Sequence, residues 1–548
     1  MNTGKERIMK SKSEAPLAGH YWLTVLFVLL ALCPDLFLST GMTLLRPEIA
    51  AEFSVSPSTI GLGETFSNAG WAFGAVLAAD LAQRFSGWKL TILYEIIFII
   101  GSILGALAPS AGFVIAGRIL QGIATGMLLV SALPPIIRSF PVERLGITAA
   151  VTDLGLFGAI TAGTVIGGYV AQTGTWRWFF AAMGFLGLLG LVLAVLVVQR
   201  RAGYNPEFPF DVIAILLAAA GAGLAFYGVG RLSGGSSISW TTPIVWIPVA
   251  LGAFCTIALI VFQYHREHSL MPVKPIATTY PVIGIVAGVL GGAAYTALTE
   301  LLLLLLQGVQ HYRPVSLSLV FWPGIAAALV AAVVFGRFFS TRYVLLLPLT
   351  GVISLIIGAW LMTTTTTSAG AGEILWISGL LGFGAGITVA PALFMAGLSV
   401  RPNLVGRAFA LVEMLRLAGA FAIVPAFTYF AMAFGSGPER LLLGVHFVSW
   451  VVLIGLALVI VLCTVLFLAG GARIHAPDLQ AYLGEGQEAI ESPSLARSDR
   501  PPVSESLTHA ARSTLLRESG REHESGDDGS ENEHGQEREG AEPRNHRS

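Results

Sequence analysis

Charged side chains and cysteines are scarce in this chain of 548 residues. Asp, Glu, Lys and Arg together make up 12% of it, well below the roughly 25% of a soluble domain, which argues against a water-soluble enzyme. The three cysteines, Cys33, Cys255 and Cys463, are isolated within apolar runs. Neither a disulfide scaffold nor a metal centre is indicated, and no cofactor is expected. The absence of a phosphate-binding Gly-x-x-x-x-Gly-Lys-Ser/Thr loop argues against ATP as an energy source.

Apolar residues are abundant, at 54% of the chain, and the mean hydropathy is +0.74. Between residues 21 and 470 they form fourteen runs, each of the roughly 20 residues that a helix needs to cross a bilayer. The pattern predicts an all-α integral membrane protein with 14 transmembrane helices. Residues 471–548 differ, because they hold 9 Arg and no Lys against 16 Asp or Glu. This composition predicts a disordered acidic tail.

The orientation follows from the basic residues of the short loops, because Lys and Arg resist translocation. If residues 1–20 are cytoplasmic, sixteen basic residues fall in inside segments and five in outside segments. The even number of helices then places both termini in the cytoplasm. The first run is too long for a signal-peptide core and lacks a cleavage pattern, so it is expected to be a retained helix.

Two glycine and acid patterns repeat with the same spacing. Gly122 and Gly126 in the fourth run are matched by Gly382 and Gly386 in the twelfth, an offset of 260 residues. The same offset relates Gly146 and Asp153 in the fifth run to Gly406 and Glu413 in the thirteenth. The repeat predicts two six-helix bundles, residues 21–199 and 280–470, with an inserted helix pair at 209–264 between them.

Several motifs resemble those of the major facilitator superfamily, in particular its fourteen-helix drug:proton antiporter branch. The resembling segments are Gly117-Arg-Ile-Leu-Gln-Gly122 with Gly126, the glycines Gly158, Gly163, Gly167 and Gly168, Trp176-Arg-Trp-Phe-Phe180, and Phe210-Asp211. The resemblance implies a role in helix packing and gating for those glycines and for Arg84. It also implies three partners, namely a small-molecule substrate, protons and the lipid bilayer, and no nucleic acid. The oligomeric state is left open, and a monomer is compatible with the resemblance.

The chain departs from the family pattern at two places. In the loop after the second run, Gln83 stands where the family has an acid and Ala79 where it has a glycine, while Asp80 is displaced. In the fifth run, Thr164 replaces the proline of the antiporter Gly-Pro pair. These departures bear on gating more than on the fold.

Nine charged residues stand out inside the apolar runs, where a charge costs at least ~2.5 kcal/mol unless it meets a partner or a wet cavity. Asp211 and Glu95 lie near helix ends and are expected to be solvated, and Asp153 is expected to be structural. Glu413 and Arg416 are three residues apart on one helix face, which favours an ion pair over a substrate site. The others are Asp35, Glu64, Arg118 and Glu300.

The last four residues are predicted to lie between the middle and the outer third of the membrane, on helices of both bundles. A carboxylate in a partly dry cavity can take up a proton near neutral pH, and a nearby guanidinium opposes that uptake. Asp35, Glu64 and Glu300 are therefore the candidates for proton coupling, with Arg118, Glu413 and Arg416 as substrate or charge partners. The alternative is that these groups pair only to permit folding. Aromatic residues available for the cavity wall are Phe37, Phe66, Trp71, Tyr295, Phe321, Trp322 and Phe394.

The leading hypothesis is a secondary active transporter for proton-coupled efflux of small amphipathic organic compounds or drugs, in the bacterial inner membrane. Uptake of a nutrient or siderophore by the same fold is the first alternative. A polytopic membrane enzyme is the second, although the histidines form no cluster of the kind such an enzyme uses. The chain is therefore not expected to be an enzyme.

Overall fold

The computed structural model describes residues 15–493 except 18, 139, 201–209, 235–238, 267–268, 436 and 472–473. Every regular element in this part of the chain is helical. The first seven long helices are α1 (Tyr21–Glu52), α2 (Pro57–Leu81), α3 (Gly87–Ala106), α4 (Ala111–Arg138), α5, α6 (Trp176–Val197) and α7 (Val212–Gly230). Helix α5 consists of Leu145–Asp153, a π-helical turn at Leu154–Gly158, and Ala159–Thr173.

The other seven are α8 (Pro243–His265), α9 (Thr279–Leu304), α10, α11 (Leu347–Thr364), α12 (Ala371–Leu398), α13 (Val405–Met432) and α14 (Pro438–Ala469). Helix α10 is formed by Pro314–Val320 and Trp322–Phe338. A π-helical turn, Leu305–Val309, follows α9, and a 3-10 helix, Arg342–Leu346, precedes α11. We call the membrane side on which α1 begins the N-side.

Thirteen of the described helical segments are long and apolar enough to cross a membrane. Helix α2 is the fourteenth long helix and is not among them, although its 25 residues would span the hydrocarbon core. Its polar residues explain the difference, since Glu64, Asn68 and Asp80 all lie within it and are all buried. The predicted all-α membrane architecture is confirmed.

The helices pack as two groups of six. Helices α1 to α6 pack among themselves through α1 with α5, α2 with α4, and α3 with α4 and α6. Helices α9 to α14 pack in the corresponding way, with α12 against α9, α10 and α11. The pair α7 and α8 pack on each other, and α7 also contacts α2 and α13. The two groups meet where α5 packs on α10 and α2 packs on α13.

Glycine allows the closest helix crossing in the first group. A Cβ atom at Gly122 or Gly126 of α4 would collide with the main-chain carbonyl oxygen of Ser67 or Trp71 of α2, respectively. A backbone carbonyl in a helix cannot move aside as a flexible side chain can. The crossing of α2 and α4 therefore requires glycine at both positions.

The segment after α14 differs from its prediction. Residues 474–493 pack against the N-side ends of α9 and α12. There the Tyr482 hydroxyl donates to the Gly397 carbonyl at 3.1 Å. Ala489 and Ile490 donate main-chain N–H groups to the Leu398 carbonyl, and both residues are buried. The prediction of disorder from residue 471 is wrong for this segment, which we call the C-terminal strap. Residues 1–14 and 494–548 lie outside the described residues.

Candidate functional site

A buried cluster of charged groups joins α1, α2 and α4. The guanidinium of Arg118 on α4 donates from Nη1 to Asp35 Oδ1 at 2.7 Å and from Nη2 to Glu64 Oε2 at 3.0 Å. Arg118 and Asp35 are both completely buried. The structure thus brings together three of the four residues that sequence reasoning selected for the membrane interior. We call these three residues the Arg118 cluster.

Two neutral side chains also accept hydrogen bonds from Arg118. Nη1 also donates to Gln121 Oε1, and Nη2 also donates to Ser39 Oγ, both at 2.9 Å. Gln121 in turn donates to Ser102 Oγ of α3 at 2.8 Å. Ser39 and Gln121 are not among the residues predicted from the sequence. The spacing held a signal for Gln121, because it is three residues after Arg118 and so lies on the same helix face.

Each acid of the cluster is held by its own helix. Asp35 follows Pro34 inside α1, where a proline removes one main-chain hydrogen bond. Glu64 accepts a hydrogen bond from Asn68 Nδ2, one turn further along α2, at 3.2 Å. Asp35 Oδ2 and Arg118 Nε have no hydrogen-bond partner among the described residues. With both acids ionised, the Arg118 cluster carries one more negative than positive charge.

Glu300 approaches the cluster from the second group of helices. It lies on α9, within electrostatic range of Arg46 on α1 and Glu64 on α2, and its carboxyl faces the Thr43 side chain of α1. Arg46 also donates to Thr43 Oγ1 at 3.4 Å. The fourth selected residue therefore faces the first group of helices across the region between the two groups.

Glu413 and Arg416 form an ion pair on α13, as their spacing predicts. Arg416 Nη2 lies 2.6 Å from Glu413 Oε2, and the guanidinium carbon is 5.9 Å from the centre of the Trp71 ring on α2. Among the described residues, no hydrogen bond joins this pair to the Arg118 cluster. The pair lies where α13 packs on α2, so it is placed to position the two groups of helices.

Arg84 belongs to a polar network at the N-side ends of α2 and α7. It pairs with Asp80 at 3.2 Å, and its guanidinium lies 3.1 Å from the centre of the Phe210 ring. Asp80 Oδ1 accepts the main-chain N–H of Asp211 at 3.2 Å. The acid displaced from its family position therefore binds the inserted helix pair.

Asp211 is buried rather than solvated. Its carboxylate caps α7 by accepting the N–H of Ala214, and it also accepts a hydrogen bond from Gln263 of α8 at 2.9 Å. Arg266 completes the charge balance at 2.7 Å. The expectation of a solvated helix end fails here because α8 covers the start of α7. Gln263 is not among the residues predicted from the sequence, because it carries no charge that would distinguish it inside an apolar run.

The glycines of α5 divide between two interfaces. Gly163 and Gly167 face α1, where an added Cβ would collide with Phe37 and Gly41, respectively. Gly168 instead faces Pro314 and Ser318 of α10, in the other group of helices. Gly158 lies at the end of the π-helical turn and would meet only Leu154. Gly117 of α4 faces Gly101 and Gly105 of α3. Of the glycines selected on α5, Gly168 is the one placed between the two groups.

Two further buried acids have no hydrogen-bond partner. Glu95 of α3 and Asp153 of α5 are completely buried, and neither oxygen of either carboxyl is hydrogen-bonded in the described part of the chain. Glu95 lies against Gly190 of α6, so the expectation that it is solvated is wrong. Its position near one end of α3 suggests contact with solvent, but α6 covers this face of the helix.

The aromatic residues selected as cavity walls are not all near the cluster. Phe394 packs edge-on against Phe335, Phe339 and Phe409 within the second group. Trp322 is 54% exposed on the outer surface of the bundle. Trp71 is buried beside Arg416. These positions show that helix-face assignment from hydropathy alone fails for apolar residues on all-apolar helices.

Comparison with known proteins agrees with this architecture. The family model described as Major Facilitator Superfamily matches residues 27–424. The MFS-type transporter YubD of Bacillus subtilis is 28% identical over 417 residues, which cover 73% of this chain and 78% of that protein. The multidrug export protein EmrB of Haemophilus influenzae is 25% identical over 312 residues, covering 55% and 59% of the two chains.

A solved structure shares the fold. A transporter of the POT family, crystallised with a thioalcohol-conjugated peptide, superposes with a TM-score of 0.60 at 12% identity, covering 83% of this chain and 99% of that one. At this identity the likeness concerns the fold alone. The family model, the helix arrangement and the named relatives agree on a transporter rather than an enzyme. The chain belongs to the major facilitator superfamily.

Proposed function

We propose that the chain is a proton-coupled exporter of small amphipathic organic compounds in the bacterial inner membrane, with both termini in the cytoplasm. The observation that carries this proposal is the Arg118 cluster, in which one buried guanidinium meets two carboxylates. A single proton would neutralise its excess negative charge. Export is favoured over uptake because a relative named for multidrug export aligns with 55% of this chain, at 25% identity.

Asp35 is the acid that we assign to the proton. Among the described residues its Oδ2 has no hydrogen-bond partner, so a proton on that oxygen breaks none of the hydrogen bonds described above. Arg118 keeps three other partners when Asp35 becomes neutral, namely Glu64, Gln121 and Ser39. Protonation therefore weakens the link between α1 and α4 without leaving a buried charge unpaired, which would cost several kcal/mol.

Competition for Asp35 provides the exchange. A cationic or hydrogen-bonding group of a substrate and a proton both neutralise the same carboxylate, so each displaces the other. Glu300 is the second candidate for proton binding. It faces Arg46 and Thr43 from the second group of helices, so it would couple the change of charge at Asp35 to the outer side of the membrane. We assign Glu413 and Arg416 a positioning role between α13 and α2.

The proposal is tested by transport in liposomes. Purified protein is reconstituted into liposomes with an imposed pH gradient. Uptake of the fluorescent cation ethidium into the liposomes by inside-out oriented protein molecules is then followed. Asp35→Asn keeps the shape and hydrogen-bonding capacity of the side chain but fixes it neutral. We expect gradient-driven ethidium movement to fall at least about tenfold, while ethidium binding survives and loses its pH dependence.

The control is Glu439→Gln, which neutralises an exposed acid in the first turn of α14 and should pump as the parent does. If Asp35→Asn pumps at the parental rate with unchanged pH dependence, Asp35 is not the coupling site. If Glu64→Gln and Glu300→Gln also pump normally, proton coupling through this cluster is wrong.

A further inference from the structure

Asp153 is a buried acid that the proposed exchange does not use. It is the last residue before the π-helical turn of α5, and the described residues offer neither carboxyl oxygen a hydrogen bond. An added Cβ at Gly386 of α12 would lie 3.6 and 3.7 Å from the two carboxyl oxygens. Because α5 and α12 belong to different groups of helices, this carboxyl is enclosed between the two.

Among the described side chains, none on the surrounding helices is a counter-charge for Asp153. The helices packed against this part of α5 carry several titratable or charged groups: Tyr21, Cys33, Asp35, Arg46, Glu48 and Glu52 on α1, Arg118 and Arg138 on α4, Arg337 on α10, and Glu373 on α12. Tyr21, at the N-side start of α1, is hydrogen-bonded to Thr148 Oγ1 at 3.0 Å, and Arg46, Glu48 and Glu52 lie in the last turns of α1, at the opposite side. Cys33 donates to the Gly155 carbonyl, and Asp35 pairs with Arg118. Arg138 and Arg337 lie at the N-side ends of their helices, and Glu373 at the opposite end of α12. Among the described residues, none interacts electrostatically with Asp153.

An ionised carboxylate cannot remain in such a place at low cost. Burying a charge without a donor or a counter-ion costs several kcal/mol, whereas the neutral acid costs much less. The interface seen here therefore requires protonated Asp153. If the groups separate on the N-side, water reaches the carboxyl and stabilises its ionised form.

We propose that Asp153 is a second proton-binding site, distinct from the Arg118 cluster, whose proton locks the N-side closed. The proton binds as α5 closes on α10 and α12, and it leaves when they part. Gly146 of α5 faces the Gly336 carbonyl of α10 at the N-side end of the same interface. Asp153 lies two turns further into the membrane, so opening the N-side exposes it first from that side.

The internal repeat supports this assignment. Glu413 holds the position equivalent to Asp153 in the second group, at the interface of α13 with α2, and it is neutralised by Arg416 three residues later. The residue three positions after Asp153 is Leu156. Of the two equivalent interfaces, one has a counter-charge three residues away on the same helix, whereas at the other the described residues provide none and a proton can neutralise the acid. The α5 interface is therefore the pH-sensitive one.

This proton does not contribute to the energy of export. It enters and leaves on the N-side, so it crosses no membrane and adds nothing to the number of protons exchanged per substrate. It instead makes the opening of the N-side depend on the pH of that side. The assignment of that side to the cytoplasm rests on the proposed function, but the lock itself does not.

The experiment measures the opening directly. Spin labels are placed at Glu143 and Ser340, exposed residues at the N-side ends of α5 and α10, in full-length protein whose three native cysteines are replaced. Distances are recorded in lipid nanodiscs, without substrate or gradient, from mildly acidic to mildly alkaline pH. In the parent, the ratio of long to short distances should rise by up to about tenfold per pH unit, the limit for one titrating group.

Asp153→Asn should hold the short distance across the whole range, with the ratio changing less than about twofold. Glu95→Gln is the matched control, because Glu95 is equally buried and unpartnered but lies between α3 and α6 of one group; it should follow the parent. If Asp153→Asn does not yield folded protein, Asp153→Ala removes the same acid without adding a buried amide.

Three outcomes would overturn the lock. They are an unchanged pH response in both Asp153 variants, loss of the response in Glu95→Gln, and loss of the response in Asp35→Asn, which would assign it to the Arg118 cluster. Failure of the proposed export is seen separately, because it concerns ethidium transport and leaves these distances untouched.

Discussion

Arg118 joins three helices through its side chain, and its burial makes each of its partners necessary. A guanidinium shielded from water needs acceptors for its N–H groups, and here Asp35, Glu64, Gln121 and Ser39 accept from its two terminal nitrogens. Arginine suits this position better than lysine, because its planar fork reaches acceptors on separate helices at once. The same geometry that stabilises the first group of helices thus leaves one carboxylate in excess.

We expect Arg118→Ala to lower the free energy of unfolding by about 3–5 kcal/mol, because it leaves two buried carboxylates without their cation. The measurement is thermal denaturation of detergent-purified protein, followed by the loss of the monodisperse peak in size-exclusion chromatography. The triple variant Arg118→Ala, Asp35→Asn, Glu64→Gln removes the uncompensated charges and should recover part of the loss. A single variant as stable as the parent would show that the cluster does not stabilise the fold.

The sequence predicts charged members of such a site better than neutral ones. A charge inside an apolar run is conspicuous, so Asp35, Glu64 and Arg118 could be selected without a structure. Gln121 and Ser39 have no such mark, since polar uncharged residues are common in membrane helices. Whether an acid has a partner depends on the neighbouring helix, which is why Glu95 and Asp211 were assigned to solvent although both are buried.

At the scale of elements, the crossing of α2 and α4 sets the positions of Glu64 and Arg118. Gly126 faces the Trp71 carbonyl of α2 so closely that any Cβ must push the helices apart. We expect Gly126→Ala to lower the free energy of unfolding by about 1–3 kcal/mol, the usual cost of overpacking, and to impair transport by moving Arg118. Thermal denaturation and ethidium transport measure the two effects.

The matched control for that change is Gly455→Ala. Gly455 lies inside α14, and nothing would meet an added Cβ within 4 Å. Alanine is the better helix former by about 1 kcal/mol, so this variant should be as stable as the parent or slightly more stable. Equal losses from both substitutions would mean that the crossing is not limited by the glycine.

The C-terminal strap is a second element whose contribution can be measured. Tyr482 is completely buried and donates to the Gly397 carbonyl at the end of α12. Tyr482→Ala should cost about 3 kcal/mol, the scale for deleting a buried aromatic ring, whereas Tyr482→Phe should cost about 1 kcal/mol for the hydrogen bond alone. Thermal denaturation of the two variants separates packing from hydrogen bonding.

Truncations locate the same contribution along the chain. Ending the chain after residue 493 keeps every described contact of the strap and should leave stability and transport unchanged. Ending it after residue 471 removes the strap from α9 and α12 and should lower the thermal stability. Equal behaviour of the two truncations would show that the strap is dispensable despite its burial.

For the whole molecule, the length of the apolar runs and the internal repeat determine most of what the sequence predicts about the fold. Fourteen apolar runs predict fourteen helices, because apart from a closed β-barrel only a helix pairs all of its backbone N–H and C=O groups within the hydrocarbon core. The repeated Gly122 and Gly382 point to two related groups. The contacts between the two groups could not be predicted in this way. Gly386 and Asp153, for example, are in contact although they are 233 positions apart in the sequence, and no local sequence pattern indicates such a contact. The strap was not predicted because its buried apolar side chains, which include Leu479, Tyr482, Ala489 and Ile490, are too few to raise the hydropathy of an acidic tail.

The orientation in the membrane is the remaining prediction at this scale. Sixteen of the basic residues in the predicted loops fall on the N-side and five on the other, and short loops rich in Lys and Arg stay in the cytoplasm. We therefore expect reporter fusions after Ser340, Thr366 and Gly470 to signal cytoplasm, exterior and cytoplasm. These positions follow α10, α11 and α14, so the series tests both the side and the even helix count. An exterior signal after Gly470 would contradict fourteen crossings, and inversion at all three positions would place Asp153 under control of the external pH instead.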